Sequence, residues 1–285
     1  MEITGKNAVV TGAGSGIGRG IALSLAREGA AVAIVDIMED NARTVAAEIA
    51  ARGGRAVAIG CDVTDRASVA AMRETAEREL GPIGILVANA GVTMFEELTD
   101  MTDQEVDWVI DVSLYGVVHC VQAFLPAMIA AGEGHIVATA SSAGLMAPFV
   151  GQHAPYVGAK AGIIGFMLSL RSDIAKQGVG ASVLCPGFVA SSITQSHSYK
   201  PASYGGPSDR QVVLPLQGGP NHPVARPAEE AGDMVVNGIR RDRAIIVTDG
   251  DHRRGFDAGL VAMAHQAFDD ALEFDRLKAG RAQTV

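Results

Sequence analysis

The sequence is poor in cysteine and in positive charge. Its three cysteines, Cys61, Cys120 and Cys185, lie far apart, each inside an apolar run. An odd number of cysteines without CxxC spacing argues against a disulfide framework and a zinc site, and it favours a reducing compartment. Lys and Arg number 23 against 32 Asp and Glu, so the formal net charge is −9. No basic run stands out, and we therefore expect no nucleic-acid partner.

Long apolar runs are missing as well. A membrane-spanning helix needs about 18 or more apolar residues in succession, and we find no such stretch. Residues 1–6 contain no apolar signal-peptide core. We therefore expect a cytoplasmic protein with no membrane partner. The chain has 285 residues, 48% of them hydrophobic, which suits one large α/β domain or two small ones with a full core.

Short β-branched runs alternate with longer amphipathic segments along most of the chain. We predict strands at 7–11, 31–36, 56–60, 85–88, 135–139, 180–184 and 244–248, and helices at 17–28, 40–52, 67–80, 103–131, 153–177 and 228–240. Strands that are apolar throughout suit a parallel sheet covered on both faces. Right-handed crossovers then give an α/β fold with a Rossmann-type, doubly wound parallel sheet of about seven strands and helices on both faces.

No linker divides the chain, so we predict a single domain over residues 1–285. Residues 186–227 differ in character, because they are rich in Ser, Gly and Pro and have little periodicity. A loop of that length in a compact domain is typically a functional lid or a disordered segment. Residues 228–285 should form a helix, a strand and a polar amphipathic tail.

A glycine-rich turn at residues 11–18 follows the first predicted strand and opens the first helix. Its spacing, Gly-x-x-x-Gly-x-Gly, is set by Gly12, Gly16 and Gly18. Glycines permit a tight turn, and the backbone N–H groups at a helix start bind phosphate. The turn therefore predicts a dinucleotide phosphate site that includes Ser15 and Ile17. A plain packing turn between strand and helix is the alternative.

Asp36 ends the second predicted strand, where an acidic side chain accepts hydrogen bonds from a ribose diol. An aspartate at this position repels a 2′-phosphate, and its neighbours Ser15 and Ile37 supply no cation to offset that repulsion. NAD is therefore favoured over NADP as the cofactor. A helix N-cap or a surface acid is the alternative role for Asp36.

Two further strand ends carry polar residues on the cofactor side of the predicted sheet. The third strand leads to Asp62 and Val63, and the fourth leads to Asn89, Ala90 and Gly91. Asp62 is placed to meet an adenine, and Asn89 is placed to tie the loops together. A plain turn explains Asp62 or Asn89 alone equally well.

Tyr156 and Lys160 are four residues apart in a predicted helix, so their side chains share one face. An unperturbed phenol has a pKa of about 10. A nearby ammonium lowers that pKa and makes the phenol usable for proton transfer. A hydroxyl from the pair Ser141 and Ser142 would then bond the same substrate oxygen. Taken alone, such a tyrosine and lysine are more often ordinary neighbours on a helix surface.

In their order along residues 5–190, these motifs resemble the short-chain dehydrogenase/reductase family. The resemblance implies hydride exchange with a nicotinamide dinucleotide. It implies that Tyr156 is the acid/base, and that Lys160 lowers its pKa and binds the ribose hydroxyls. The sequence Pro-Gly-Phe-Val at residues 186–189 is a further match. By resemblance, Pro186, Gly187 and Val189 lie against the nicotinamide.

The sequence departs from the family's pattern in three places. Ser113 stands where the family has an asparagine, which holds a helix kink and a water of the proton relay. A serine can bond back to its own helix backbone, which would preserve the relay with altered efficiency. The alignment makes Ser141 the catalytic serine, fifteen residues before Tyr156, with Ser142 as the alternative. Ser191 replaces a threonine that contacts the nicotinamide amide or the phosphates, and it keeps the hydroxyl.

Four side chains are expected to contact the substrate, namely Ser141, Tyr156, His153 and Phe188. A helix-start histidine explains His153 as well. The seven histidines show no ligand spacing, so no metal site is expected. The lid and tail resemble those of family members that oxidise the benzylic alcohol of lignin-derived aryl ethers, and they imply a bulky hydrophobic alcohol or ketone. Steroid-like substrates remain open.

The function predicted is that of an NAD-dependent short-chain alcohol dehydrogenase or ketone reductase, acting on a hydrophobic secondary alcohol and its ketone. A non-catalytic NAD(P)-sensing regulator on the same fold is one alternative, and a reductase of a different small carbonyl compound is another. The long helices at 103–131 and 153–177 pair across subunits in the family. The resemblance therefore implies a homodimer or a homotetramer.

Overall fold

Seven strands form one parallel sheet in the computed structural model, which describes residues 1–146, 151–209 and 225–282. In chain order the strands are Asn7–Thr11 (β1), Ala31–Asp36 (β2), Ala56–Gly60 (β3), Ile85–Ala88 (β4), Gly134–Thr139 (β5), Val179–Cys185 (β6) and Ile245–Val247 (β7). Their order across the sheet is β3-β2-β1-β4-β5-β6-β7, and neighbouring strands are parallel. The winding reverses between β1 and β4, which opens a cleft beyond the carboxyl ends of the strands.

Helices connect the strands and cover both faces of the sheet. They are Gly16–Arg27 (α1), Glu39–Ala51 (α2), Arg66–Leu80 (α3), Asp103–Ile110 (α4), Gly116–Ala131 (α5), Ser142–Leu145 (α6), Ala154–Asp173 (α7) and Ala228–Arg240 (α8). After β7 follow Arg253–Phe256 (α9) and the largely exposed Ala262–Ala282 (α10). Helices α3, α5 and α7 bury Met72, Phe124 and Met167 in the core on one face. Helices α1, α2 and α8 bury their apolar residues in a second core on the opposite face.

The predicted fold class is confirmed, since the chain is a single α/β domain with a doubly wound parallel sheet. Strands β1 to β4 match their predicted bounds, and β5 and β6 are each slightly longer than predicted. The helix predicted at 153–177 runs only over Ala154–Asp173. His153 is the residue that precedes its first turn.

The helix predicted over 103–131 is interrupted. A π-helical turn at Asp111–Tyr115 separates α4 from α5. Such single π turns occur frequently at functional sites. The run is apolar on more than one face, and for this reason the interruption is not visible in its apolar pattern.

The described part of the predicted lid contains short helical turns, at Ile193–Tyr199 and Ala202–Tyr204. Residues 210–224 of that lid, and residues 147–150 of the loop before His153, lie outside the described residues. The tail is kinked at Gly259, whose backbone angles are not helical, and it continues as the long helix α10.

One helical run among the described residues, Asp103–Ala131, is long and apolar enough to span a membrane by length and composition. We predicted no such run from the sequence, because the search was for about 18 apolar residues in unbroken succession. In the structure, its α5 part packs Val117, Cys120 and Phe124 into the core against the sheet. About 33% of its most apolar 18-residue window is buried within the domain.

Candidate active site

A single cleft at the carboxyl ends of the strands collects most of the residues that the sequence marked. Its cavity has a volume of about 370 Å³. All of the predicted cofactor residues line it, namely Gly12, Ser15, Gly16, Ile17, Gly18, Asp36, Ile37, Asp62, Val63, Asn89, Ala90, Gly91, Tyr156, Lys160, Pro186, Gly187, Val189 and Ser191. Ser141 lines the same cavity. One continuous space therefore joins the glycine turn to the tyrosine.

The glycine turn is shaped to admit a ligand close to the backbone. Gly12 and Gly16 have φ of +62° and +50°, a region that favours glycine. A Cβ on Gly18 would lie 2.2 Å from the carbonyl oxygen of Gly12, so no side chain fits there. The first turn of α1 follows at once and presents its unpaired N–H groups to the cleft. These features fit the pyrophosphate of a dinucleotide.

The carboxylate of Asp36 is held in place at the end of β2. Its Oδ2 accepts a hydrogen bond from the N–H of Gly14 at 2.9 Å, and its Oδ1 accepts one from Met38 at 3.0 Å. Burial raises the pKa of Asp36 above its usual range, although the surrounding N–H groups oppose this shift. The carboxylate therefore stands at the cavity wall in a fixed orientation.

Asn89 joins three strand ends beneath the cleft. Its Nδ2 donates to the carbonyl oxygen of Thr11 at 3.0 Å, and its Oδ1 accepts from the Thr139 hydroxyl at 3.0 Å. Asp62 forms a turn of its own, since its Oδ1 accepts from the N–H and the hydroxyl of Thr64. Both residues thus have a structural role and also line the cavity.

Tyr156 stands on the first turns of α7, facing Ser141. The Ser141 hydroxyl lies within hydrogen-bonding reach of the Tyr156 hydroxyl, and its oxygen accepts from the N–H of Ala143 at 3.1 Å. Ser142 is buried in α6, and its own N–H donates to the carbonyl oxygen of Pro186. Of the two serines, Ser141 is therefore the one that meets the phenol.

Lys160 lies one helical turn beyond Tyr156 and is buried. Its ammonium donates to the carbonyl oxygen of Thr139 at 2.8 Å and lies 5.6 Å from the centre of the Tyr156 ring. Burial lowers the pKa of Lys160 to about 8. Burial also raises the pKa of Tyr156 to about 12, against the lowering effect of Ser141. In this structure, burial outweighs the lysine's expected lowering of the tyrosine pKa.

Ser113 lies in the π turn and not on the cavity wall. Its hydroxyl donates to the carbonyl oxygen of Val92 at 2.9 Å and accepts from the N–H of Val92 at 3.1 Å. We had expected this serine to bond back to its own helix. Instead it connects the π turn to the loop after β4, which passes beside the Lys160 ammonium at Gly91.

The two remaining substrate predictions, His153 and Phe188, are not among the described residues that line the cavity. His153 packs beside it, because its ring stacks on Tyr156 with centroids 4.5 Å apart. Its Nε2 is 2.6 Å from the Thr93 hydroxyl, and burial lowers its pKa to about 4. Phe188 is half-buried, and its carbonyl oxygen accepts from the N–H of Arg226.

Further residues line the cavity beside the predicted site residues. Trp108 is buried in a small core that includes Tyr156, and it also lines the cavity. Tyr199 and Tyr204, from the short helical turns after β6, line it as well. No periodic pattern marks those two tyrosines. Within the described ranges, no group of three or more metal-binding side chains is found.

A doubly wound sheet, a phosphate-type glycine turn and a serine, tyrosine and lysine in one cleft define the class of nucleotide-dependent dehydrogenases. A family model described as short chain dehydrogenase matches residues 6–202. The chain belongs to the short-chain dehydrogenase family of oxidoreductases.

Two curated relatives illustrate the degree of similarity. Oxidoreductase UcpA of Escherichia coli strain K12 is 39% identical over 213 residues, which cover 75% of this chain and 79% of that protein. The 3-oxoacyl-(acyl-carrier-protein) reductase FabG of Staphylococcus aureus strain N315 is 40% identical over 199 residues, which cover 70% of this chain and 80% of that protein.

Solved structures extend the likeness to most of the chain. A short-chain dehydrogenase/reductase from Burkholderia phymatum, in complex with NAD, has a TM-score of 0.80 and 27% identity, and the match covers 96% of each chain. The apo form of LigD from Sphingobium sp. strain SYK-6 has a TM-score of 0.76 and 26% identity, with 92% of this chain and 97% of that chain covered.

Proposed function

We propose that this protein is an NAD-dependent alcohol dehydrogenase or ketone reductase acting on a bulky, hydrophobic secondary alcohol. The observation that carries the proposal is the contact between Ser141 and Tyr156, with Lys160 one turn away, in the same cleft as the glycine turn. A proton-transfer group and a dinucleotide site in one cavity are what hydride exchange requires.

The chain's own residues divide the work of proton transfer. In the oxidising direction, Tyr156 takes the proton of the substrate hydroxyl. Ser141 bonds the same substrate oxygen and holds it as it becomes a carbonyl oxygen. A bound NAD supplies the hydride acceptor and, in its oxidised form, a positive charge that favours the phenolate. The Lys160 ammonium favours the phenolate in the same way.

Residues for each part of the cofactor follow from the cavity. The glycine turn would hold the pyrophosphate, and Asp36 would accept from the adenosine ribose. Lys160 would meet the nicotinamide ribose, while Pro186 and Val189 would lie against the nicotinamide. NAD is favoured over NADP because the Asp36 carboxylate faces the position of a 2′-phosphate.

Proton relay and substrate contact are proposed for two residues beside the cavity. Ser113 acts as a positioning residue, since it holds the loop at Gly91 next to the Lys160 ammonium. His153 is proposed to contact the substrate beside Tyr156. Its Nδ1 is buried and has no hydrogen-bond partner among the described residues. Phe188 remains a proposed substrate contact on resemblance alone.

We further propose that the protein is a homodimer or a homotetramer in the cytoplasm. The outer face of α7 is exposed at Gly158, Ala161, Gly165 and Leu168, and small residues allow close packing of a second helix. The three cysteines are free and buried, in keeping with a reducing compartment.

An absorbance screen for NADH formation tests the proposed function. Purified protein and NAD are offered aryl, steroid and short aliphatic secondary alcohols, and the same panel is repeated with NADP. We expect turnover with NAD and the largest kcat/KM among the aryl alcohols. Silence across every panel, together with measurable NAD binding, would instead support the regulatory NAD(P) sensor that the fold also permits.

A further inference from the structure

Residues 193–205, which we call the tyrosine segment, cross the cofactor cleft. Ile193, Tyr199 and Tyr204 line the same cavity as Asp36 and Tyr156. The tyrosine segment is a described part of the predicted lid, and it lines the cavity that also contains Asp36.

The tyrosine segment is tied to the body of the protein at its start. The Ser196 hydroxyl is fully buried, donates to the carbonyl oxygen of Thr93 at 3.2 Å and accepts from the N–H of Thr93 at 3.3 Å. It also contacts the carbonyl oxygen of Ile193. This contact fixes the segment against the loop after β4.

A buried ion pair, which we call the latch, fixes the segment between its two tyrosines. The Lys200 ammonium lies 3.0 Å from Oε1 of Glu105, and the two side chains are only 5% and 7% exposed. Burial alone would raise the pKa of Glu105. The N–H of Thr102 and the Lys200 charge outweigh this and hold the pKa below its usual range. A buried charge that loses its partner is costly, so the pair favours the position of the segment in which Lys200 meets Glu105.

Tyr204 joins the segment to the π turn and to the loop after β3. Its hydroxyl donates to Oδ2 of Asp111 at 2.9 Å, and it lies beside Thr64. Burial, together with that hydrogen bond, raises the pKa of Tyr204 to about 12. Tyr204 thereby stands next to Asp62, on the wall where the adenine is proposed to bind.

Tyr199 lines the same cavity and packs against the small core that includes Trp108 and Tyr156. Its pKa is raised by burial and by the negative charge of Asp36, so the phenol lies within electrostatic reach of that carboxylate. Asp36 marks the position of the adenosine ribose. Both tyrosines therefore line the cavity and interact with a carboxylate of its adenosine half, Tyr199 with Asp36 and Tyr204 with Asp62.

We infer that Tyr199 and Tyr204 are cofactor-binding residues that close the adenosine half of the cleft, and that the latch holds them there. The inference rests on the proposed dinucleotide-dependent function. Aromatic rings at this wall would stack on or shield the adenine. Cofactor release then requires the tyrosine segment to move, which couples it to breakage of the latch.

Cofactor fragments test the tyrosines directly. AMP probes the adenosine half and nicotinamide mononucleotide probes the other half, with dissociation constants measured by calorimetry. Tyr199→Ala should weaken AMP binding by about threefold to tenfold, the value of an aromatic contact, and leave the mononucleotide unchanged. Unchanged or tighter AMP binding would overturn the inference, because the segment would then be indifferent to the adenine or would occupy its place.

Stopped-flow release of NADH tests the latch. Lys200→Met should speed NADH release by about tenfold, and Lys200→Met with Glu105→Gln, which leaves no unpaired charge, should do the same. Lys6→Met removes a comparable but exposed ion pair with Glu133 and should leave release unchanged. Equal release rates in all these variants would refute the role of the latch. If wild-type protein bound neither AMP nor NADH, the proposed function itself would fail.

Discussion

Tyr156 and Lys160, the two residues proposed to handle the proton, are both buried. Burial leaves Tyr156 with a pKa of about 12 and Lys160 with a pKa of about 8. Each shift favours the neutral form of its group. A positive charge near the phenol, of the kind that a bound oxidised cofactor would supply, would oppose the effect of burial on the Tyr156 pKa.

Asp36 carries the proposed preference for NAD. Asp36→Ala removes the carboxylate that repels a 2′-phosphate, so the ratio of kcat/KM for NADP to that for NAD should rise by about tenfold. Initial rates with both cofactors measure this ratio. Asp40→Ala removes a nearby, exposed carboxylate and should leave the ratio unchanged. If Asp36→Ala also left it unchanged, cofactor choice would lie elsewhere.

His153 should make the protein sensitive to acid. Its folded-state pKa of about 4 lies below the usual histidine value of 6.5, so the unfolded chain binds the extra proton between those values. Stability is therefore lost as the pH falls from 6.5 towards 4. His153→Phe keeps the ring stacking and should reduce that loss by about 2 to 3 kcal/mol.

Urea unfolding at several pH values between 7 and 4 measures this effect. His135 has a similarly lowered pKa of about 4 and should leave a residual loss in the variant. Replacement of the exposed His265 by Gln serves as the control. A pH profile of His153→Phe that superimposes on that of the parent protein would show that His153 does not titrate as its burial requires.

At the level of residues, the sequence predicted which residues share the cleft better than it predicted the contacts between them. The glycine turn, Asp36 and Tyr156 were recognisable because each needs a particular residue type at a particular strand or helix end. Ser141 was left with Ser142 as an alternative, and only the fold shows which hydroxyl meets the phenol. Tyr199 and Tyr204 belong to the predicted lid, but their positions at the cavity could not be predicted, because a loop has no periodicity that places a side chain.

At the scale of elements, the π turn between α4 and α5 supports two segments that border the cleft. It brings the Ser113 hydroxyl to both backbone groups of Val92, in a region with no exposure to water. Asp111 in the same turn accepts from Tyr204. One local distortion of the helix therefore supports both the loop beside Lys160 and the tyrosine segment.

Ser113→Ala should destabilise the protein by roughly 1 to 3 kcal/mol, because it leaves buried backbone groups unpaired. It should also lower kcat more than it changes KM, since the loop beside Lys160 loses its support. Urea unfolding and steady-state kinetics measure the two effects. Ser172→Ala, on the exposed part of α7, is the matched control. Loss of stability with unchanged kcat would limit Ser113 to a structural role.

Among the elements, those with strong periodicity were predicted closely. Strands β1 to β4 have their predicted bounds, because apolar runs end sharply at polar or glycine residues. The interruption between α4 and α5 was not predictable. A π turn changes the hydrogen bonding of the backbone, and a run that is apolar on more than one face does not reveal it. The position of the tyrosine segment depends on the latch, whose partners are far apart in sequence.

At the scale of the molecule, the sheet separates two hydrophobic cores, and a different set of helices packs on each. Winding in opposite directions from β1 and β4 places the polar strand ends on one edge, which is why residues from Gly12 to Ser191 share a cavity. The sequence predicted this arrangement because parallel strands with helical crossovers have few topologies open to them. The assembly of subunits depends on surfaces that apolar pattern alone does not distinguish from core.

Assembly should depend on the outer face of α7. Leu168→Glu places a charge on that face and should shift the protein from a dimer or tetramer to a smaller species. Light scattering coupled to gel filtration measures the mass. Leu98→Glu, at a residue that is 56% exposed in a loop, should leave the mass unchanged. A monomeric parent, or an unchanged mass in Leu168→Glu, would contradict this interface.

Removal of a single oxygen atom tests the central claim most directly. Tyr156→Phe should lower the rate of NADH formation, with the best alcohol from the screen, by at least about 100-fold, because the proton acceptor is gone. NADH should still bind, with a dissociation constant within about threefold of the parent value. Tyr115→Phe, at an exposed tyrosine, should keep the parent rate. Turnover by Tyr156→Phe at the parent rate would contradict the account.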